Sequence, residues 1–177
     1  MPGMKRGEPV PDVLIVDGYN FLYSWPELVK LKEESSFAHA RDKLIAELIN
    51  YQAYWGGQVI VVFDAHRVSG AGEKKEKIGG VEIIYSQEGE TADAVIEKLV
   101  RTLNTQGQVY VATSDAAEQR MILGGGALRL PVAELKAYIE NARREMAREG
   151  QKGIQRNSID GRLQGETLKV LENWRRR

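Results

Sequence analysis

Three apolar runs in this 177-residue chain end in aspartate: Val13-Leu14-Ile15-Val16-Asp17, Val59-Ile60-Val61-Val62-Phe63-Asp64 and Val109-Tyr110-Val111-Ala112-Thr113-Ser114-Asp115. Their apolar stretches lack polar alternation, the mark of strands buried on both faces of a parallel sheet. In an open parallel sheet the ligand crevice lies beyond the carboxyl ends of the strands. A fourth aspartate, Asp93, follows another apolar run, Val81–Tyr85, and opens an amphipathic segment. Carboxylates gathered in one crevice repel unless a cation neutralises them. An oxygen-only cluster suits Mg²⁺ or Mn²⁺. The pattern predicts a divalent-metal phosphodiesterase site.

The segments between the runs have helical period. In Ser36–Trp55 the residues Phe37, Ala40, Leu44, Leu48, Tyr51 and Trp55 recur at steps of three and four, and Gly56-Gly57 follows as a stop. Thr91 caps a segment with Ala92, Val95, Ile96, Leu99, Val100 and Leu103 on one face. A short helical stretch is expected near Phe21–Leu31, another over Ala116–Leu123, and a last one over Val132–Arg148. Ala127–Leu130 reads as a short fifth strand. Strands alternating with helices predict an α/β domain with a mainly parallel sheet. Ala65–Gly80, rich in Gly and Lys with no apolar period, reads as a long functional loop.

Three regions follow: a leader, residues 1–11, holding three of the five prolines; a domain, residues 12–149; and a tail, residues 150–177. From Arg143 onward basic residues outnumber acidic ones two to one, ending in Arg175-Arg176-Arg177. The whole chain has no formal net charge, so attraction to nucleic acid must come from such local patches. There are no cysteines and only two histidines, which excludes disulfides, thiolate zinc sites and cysteine nucleophiles. The polar N-terminus lacks an apolar signal core, and no run approaches the ~20 residues of a membrane span. A cytoplasmic protein with no membrane partner is the expectation.

Each candidate residue also has an ordinary use. Asp17 and Asn20, three apart across Gly18, suit a metal, its water or a phosphate oxygen, and equally suit turn chemistry. Asp64 fits a site or a loop cap. Asp93 lies in a helix's first turn, where the macrodipole favours any acid, yet it borders the buried stripe. Glu90, before the cap, is a candidate further ligand or water-positioning group. Asp115-Ala116-Ala117-Glu118 matches a capping box, so its carboxylate serves as cap or as ligand. Thr113 and Ser114 are supporting donors on the same terms. Arg41, Lys74, Lys75, Lys77, Arg120 and the terminal arginines Arg175, Arg176 and Arg177 are candidates for RNA phosphate contact, or simply solvated charges. Tyr19, Tyr23 and Trp25 offer stacking surfaces for unpaired bases, or ordinary packing. The weight lies in the set: several carboxylates at the ends of different strands.

Val16-Asp17-Gly18-Tyr19-Asn20 resembles the opening motif of the NYN division of PIN-like ribonucleases. Glu88-Gly89-Glu90-Thr91-Ala92-Asp93 followed by Ile96-Glu97 is similar to the YacP subgroup, and Thr113-Ser114-Asp115 matches its next acidic motif. The resemblance runs in order from Asp12 to Glu140. It implies a PIN-like three-layer α/β/α sandwich, dependence on Mg²⁺ or Mn²⁺, and endonucleolytic cleavage of RNA. Carried over by position, it implies metal-site residues Asp17, Asp93 and Asp115, supported by Asn20, with Asp64 at the acidic position after the second strand. YacP-like proteins include a ribosome-associated endoribonuclease that cuts mRNA under translation, which makes mRNA and the ribosome the implied partners.

The alternative on the same fold is a non-catalytic RNA- or ribosome-binding module. A phosphatase of the haloacid dehalogenase type needs Asp-x-Asp after the first strand, and Tyr19 stands at the second position. A dinucleotide-binding protein needs glycine spacing that Asp17-Gly18-Tyr19-Asn20 lacks.

Overall fold

Each apolar run becomes a strand. In a computed structural model, β1 (Val13–Asp17), β2 (Gln58–Phe63), β3 (Lys74–Ile78), β4 (Val81–Tyr85), β5 (Val109–Ala112) and β6 (Leu128–Leu130) form one sheet in the order β3-β4-β2-β1-β5-β6. The structure describes residues 12–65, 74–105, 107–115, 120 and 124–175, with side chains as far as residue 153. All neighbouring strands are parallel except the edge pair β3–β4, which is antiparallel.

Five helices are described: α1 (Gly18–Ser24), α2 (Pro26–Glu34), α3 (Phe37–Trp55), α4 (Ala92–Leu103) and α5 (Val132–Arg175). Local chemistry sets their bounds. Ser36 Oγ accepts the His39 N–H at 3.1 Å to start α3, and Gly56, at φ +83°, ends it in the left-handed conformation. Thr91 Oγ1 accepts the Ala94 N–H at 3.2 Å to start α4. The single stretch expected over Phe21–Leu31 is instead two helices. Pro26 forces the residue before it out of helical conformation, and Trp25 is extended there.

Successive strand residues face opposite ways and make two cores. Leu14, Val16, Val61, Phe63, Ile83 and Tyr85 pack under α1, α2, α3 and the Leu135, Ile139 and Ala142 positions of α5. Val13, Ile15, Ile60, Val62, Ile84 and Val111 pack under the Ala92, Val95, Ile96 and Val100 face of α4. This is the three-layer α/β/α sandwich. The chain steps from β1 to β2 and β4 on one side, then returns through α4 to β5 on the other side of β1. The direction of winding therefore reverses between β1 and β5, where a doubly wound sheet opens its crevice.

Two expectations change. Lys74, Lys75 and Lys77 lie on strand β3, not in a loop, and the Ala65–Gly80 segment is thus partly sheet. Gly79 and Gly80, both at positive φ, turn the chain tightly so that Lys74 pairs with Tyr85 and Ile78 with Val81. The rest of that segment, residues 66–73, lies outside the described residues. The final helix continues well past Arg148 to Arg175, running through Gly150 and Gly153. The chain divides into two compact units, residues 1–142 and 143–177, and the second is helical over its described length. The leader and nearly all of Ala116–Leu123 are outside the described residues. Among the described residues no helix is long and apolar enough to cross a membrane.

Candidate active site

Asp17 closes β1 and begins α1. It is buried, and its Oδ1 accepts the Asn20 N–H at 3.3 Å. Turn chemistry and a place in the crevice are thus held together rather than opposed, since one carboxylate has several lone-pair sites. Gly18 follows because nothing larger fits: a Cβ there would collide with the Phe63 ring of β2. That contact seats the first turn of α1 on the carboxyl end of the neighbouring strand.

Asn20 then crosses the switch point. Its Oδ1 accepts both the backbone N–H and the hydroxyl of Ser114, each at 2.9 Å. A backbone N–H only donates, so the amide orientation is fixed. The oxygen faces Ser114 and the NH₂ group is turned away from it. Thr113, fully buried, accepts the Asp115 N–H on its Oγ1 at 3.1 Å. Thr113 and Ser114 therefore shape the loop that carries Asp115, and Asn20 ties that loop to Asp17. Asp115 itself is exposed.

On the other side of β1, Asp64 follows β2 and is half-buried. Its neighbour Ala65 donates its N–H to Ser86 Oγ at 3.0 Å, while the Ser86 N–H bonds to the Phe63 carbonyl at 2.9 Å. Ser86, fully buried just past β4, is thus the residue that sets the Asp64 turn. Sequence reasoning missed it, although it follows an apolar run as the aspartates do.

Asp93 sits half-buried in the first turn of α4, its carboxylate without a hydrogen bond or ion pair among the described residues. Glu90 is engaged. It pairs with Lys98, and its Oε2 accepts the Gln87 N–H at 3.4 Å. The Lys98 hydrogen bond holds its carboxyl below the usual range. Among the described residues no three acidic or histidine side chains form a metal-holding group. What the fold does bring together is Asp17, Asn20 and the Thr113-Ser114-Asp115 loop.

The basic candidates separate. Arg41 is mostly buried, its guanidinium 5.7 Å from the centre of the Tyr85 ring. Lys74 is exposed and bonded to Glu76 at 2.5 Å, which raises its pKa. Lys75, Lys77 and Arg120 are exposed. The side chain of Arg175, and Arg176 and Arg177 altogether, lie outside the described residues. Tyr19 and Trp25 are core residues, whereas Tyr23 is 44% exposed.

The model for the YacP-like NYN domain matches residues 14–176. The uncharacterized protein YacP of Bacillus subtilis (strain 168) is 48% identical over 168 residues, 93% of this chain and 97% of that one. A crystal structure of Rae1 (YacP) from Bacillus subtilis superposes with a TM-score of 0.72 at 46% identity, covering 93% of this chain and 95% of that one. A mutant of the same protein superposes with a TM-score of 0.70 at 46% identity, covering 80% and 82%.

Proposed function

Because the chain belongs to the YacP-like NYN domain family, whose members carry a PIN-like nuclease fold, we propose that it is a metal-dependent endoribonuclease acting on mRNA at the ribosome. The observation that carries this reading is the Asn20–Ser114 tie, which joins the carboxyl ends of β1 and β5 and sets Asp17 beside the Asp115 loop. The donor set is oxygen-only, which suits Mg²⁺ or Mn²⁺. Mg²⁺ keeps several of its waters and is held by one or two carboxylates rather than by a closed cage. Asp17, Asp93 and Asp115 would hold the ion, directly or through water, with Asp64 assisting. A bound ion would supply an activated water and charge neutralisation at the scissile phosphate.

The remaining work falls to the chain itself. Asp17 keeps the first turn of α1 in place. The Asn20 NH₂ group, directed by Ser114, is a donor for a phosphate oxygen. Thr113 and Ser114 fix the loop of Asp115, and Ser86 fixes that of Asp64. No protein nucleophile is required. Ribosome and mRNA follow from the family resemblance, to which the basic terminal segment adds support.

The rival is a non-catalytic RNA- or ribosome-binding module on the same fold. One experiment separates the two. Asp17→Asn and Asp93→Asn are assayed for cleavage of mRNA on translating ribosomes with Mg²⁺ or Mn²⁺. Loss of at least ~100-fold in rate by folded variants supports the nuclease, since even outer-shell changes at metal sites cost 10–100-fold. Undiminished cutting refutes the site. A parent protein that binds but never cuts establishes the module.

A further inference from the structure

The side of α1 and α3 next to the site carries aromatic rings interleaved with cations. Tyr19, one residue past Gly18, packs edge-on between Phe63 at 5.1 Å and Phe37 at 6.1 Å. Phe37 in turn meets the exposed Tyr23 edge-on at 6.1 Å, and Lys32 Nζ lies 5.1 Å from the centres of both rings. In the other direction Phe63 stacks on Tyr85 at 5.8 Å, and Arg41 lies over Tyr85. Phe37 and Arg41 are one helical turn apart on α3 and so share a face. A continuous strip results, from Lys32 and Tyr23 through Phe37 to Arg41 and Tyr85, with Tyr19 joining it to the turn of Asp17.

Two members are incompletely used by the fold. Tyr23 leaves 44% of its surface exposed, although neighbouring rings of the helix are buried. Arg41 Nε is buried without a hydrogen-bond acceptor. Its acidic neighbour, Asp42, is 4.0 Å away, beyond hydrogen-bond reach, with a side chain 70% exposed that water screens. An exposed ring beside an ammonium, joined through Phe37 to the helical face that carries an under-compensated guanidinium, matches what an unpaired nucleic-acid strand needs. Bases stack on aromatic faces and phosphates take the cations. A duplex, with its base faces covered, gains nothing from Tyr23.

We propose that this strip is the track along which one unpaired RNA strand enters the site. A base stacks on Tyr23, Lys32 and Arg41 hold backbone phosphates, and Tyr85 positions the Arg41 guanidinium. The proposal rests on the nuclease reading for its direction toward Asp17, but its contacts are tested by binding alone.

The full chain carrying Asp17→Asn is titrated with a fluorescent single-stranded oligoribonucleotide and with its blunt duplex, across a salt series. Tyr23→Ala weakens single-strand binding about tenfold, the order of one stacked base, and leaves duplex binding unchanged. Tyr23→Phe binds as the parent does. Arg41→Ala flattens the slope of log affinity against log salt by about 0.7, one single-strand phosphate contact, and Arg41→Lys restores it. Equal affinity and slope in folded Tyr23→Ala and Arg41→Ala proteins overturn the track, as does an equal loss on duplex. Cutting by the Asp17→Asn background would instead overturn the active site while the binding data still judge the track.

Discussion

The two faces of the sheet are built from different residues. Under α4 the core is aliphatic: Val13, Ile15, Ile60, Val62, Ile84, Ile96, Val100 and Val111, with no ring among the described residues. Under α1–α3 it contains Tyr19, Phe21, Trp25, Tyr51, Phe63 and Tyr85. Aliphatic side chains fill a closed layer and need no partner at its rim. Aromatic side chains are larger and reach beyond it, and here Phe63 and Tyr85 stand at the carboxyl ends of β2 and β4. Gly18 rests on one and Arg41 on the other. One face is chiefly a brace, with Asp93 at the start of its helix, and the other extends the core into the candidate site.

This contrast breaks if damage to the aliphatic face disturbs RNA handling. Ile96 is fully buried in that layer. Ile96→Ala should cost about 2–5 kcal/mol of stability, from lost burial and the cavity left behind. Chemical denaturation measures the loss. At temperatures where the variant remains folded, its affinity for RNA and its cleavage rate should equal the parent's. A folded Ile96→Ala protein with impaired cleavage would show that the faces are coupled.

On the aromatic face, Gly18→Ala sharpens the comparison. The added methyl meets the Phe63 ring, and overpacking of this kind costs about 1–3 kcal/mol. The turn holding Asp17 must shift to relieve it. The expected result is a smaller stability loss than for Ile96→Ala, accompanied by a fall in cleavage that the folded fraction does not explain. Parent-like cleavage in Gly18→Ala would mean that the Phe63 contact only packs.

What the sequence disclosed follows the same physics. β1, β2 and β5 were legible because burial on both faces leaves an unbroken apolar run, and β4 because its run is interrupted only at Glu82. β3 was not, because Lys74-Lys75-Glu76-Lys77 is an edge strand exposed along most of its length, and charge is how edges avoid further pairing. Its one signal was Gly79-Gly80 just before an apolar run, which marks a hairpin as readily as a loop. The long α5 was obscured by its glycines. A helical glycine costs about 1 kcal/mol against alanine, but it ends a helix only when the chain turns left-handed there. In the candidate site, Asp17, Asn20, Thr113, Ser114 and Asp115 were each singled out from the sequence one by one. The bond from Asn20 to Ser114 was not, because it spans 94 residues and depends on β1 lying beside β5. Ser86 was invisible for the same reason: its partners are Phe63 and Ala65 on the neighbouring strand's end.

The smallest expected effect lies where the brace meets the site, at the Glu90–Lys98 pair ahead of Asp93. Lys98 is 73% exposed and Glu90 17%, so water screens much of the attraction. Lys98→Met should cost a few tenths of a kcal/mol near pH 7. The pH dependence identifies the cause. Glu90 has its folded-state pKa lowered, first by the Lys98 hydrogen bond. Its contribution is therefore full above the unfolded value, about 4.3, and disappears as pH falls through the lower folded value. Parent and variant stabilities, measured by urea unfolding, should differ at pH 7 and converge as the pH drops below that folded value. A difference that persists unchanged at low pH would assign the loss to the packing of the Lys98 stem, and Glu90 would then be restrained by the Gln87 N–H alone.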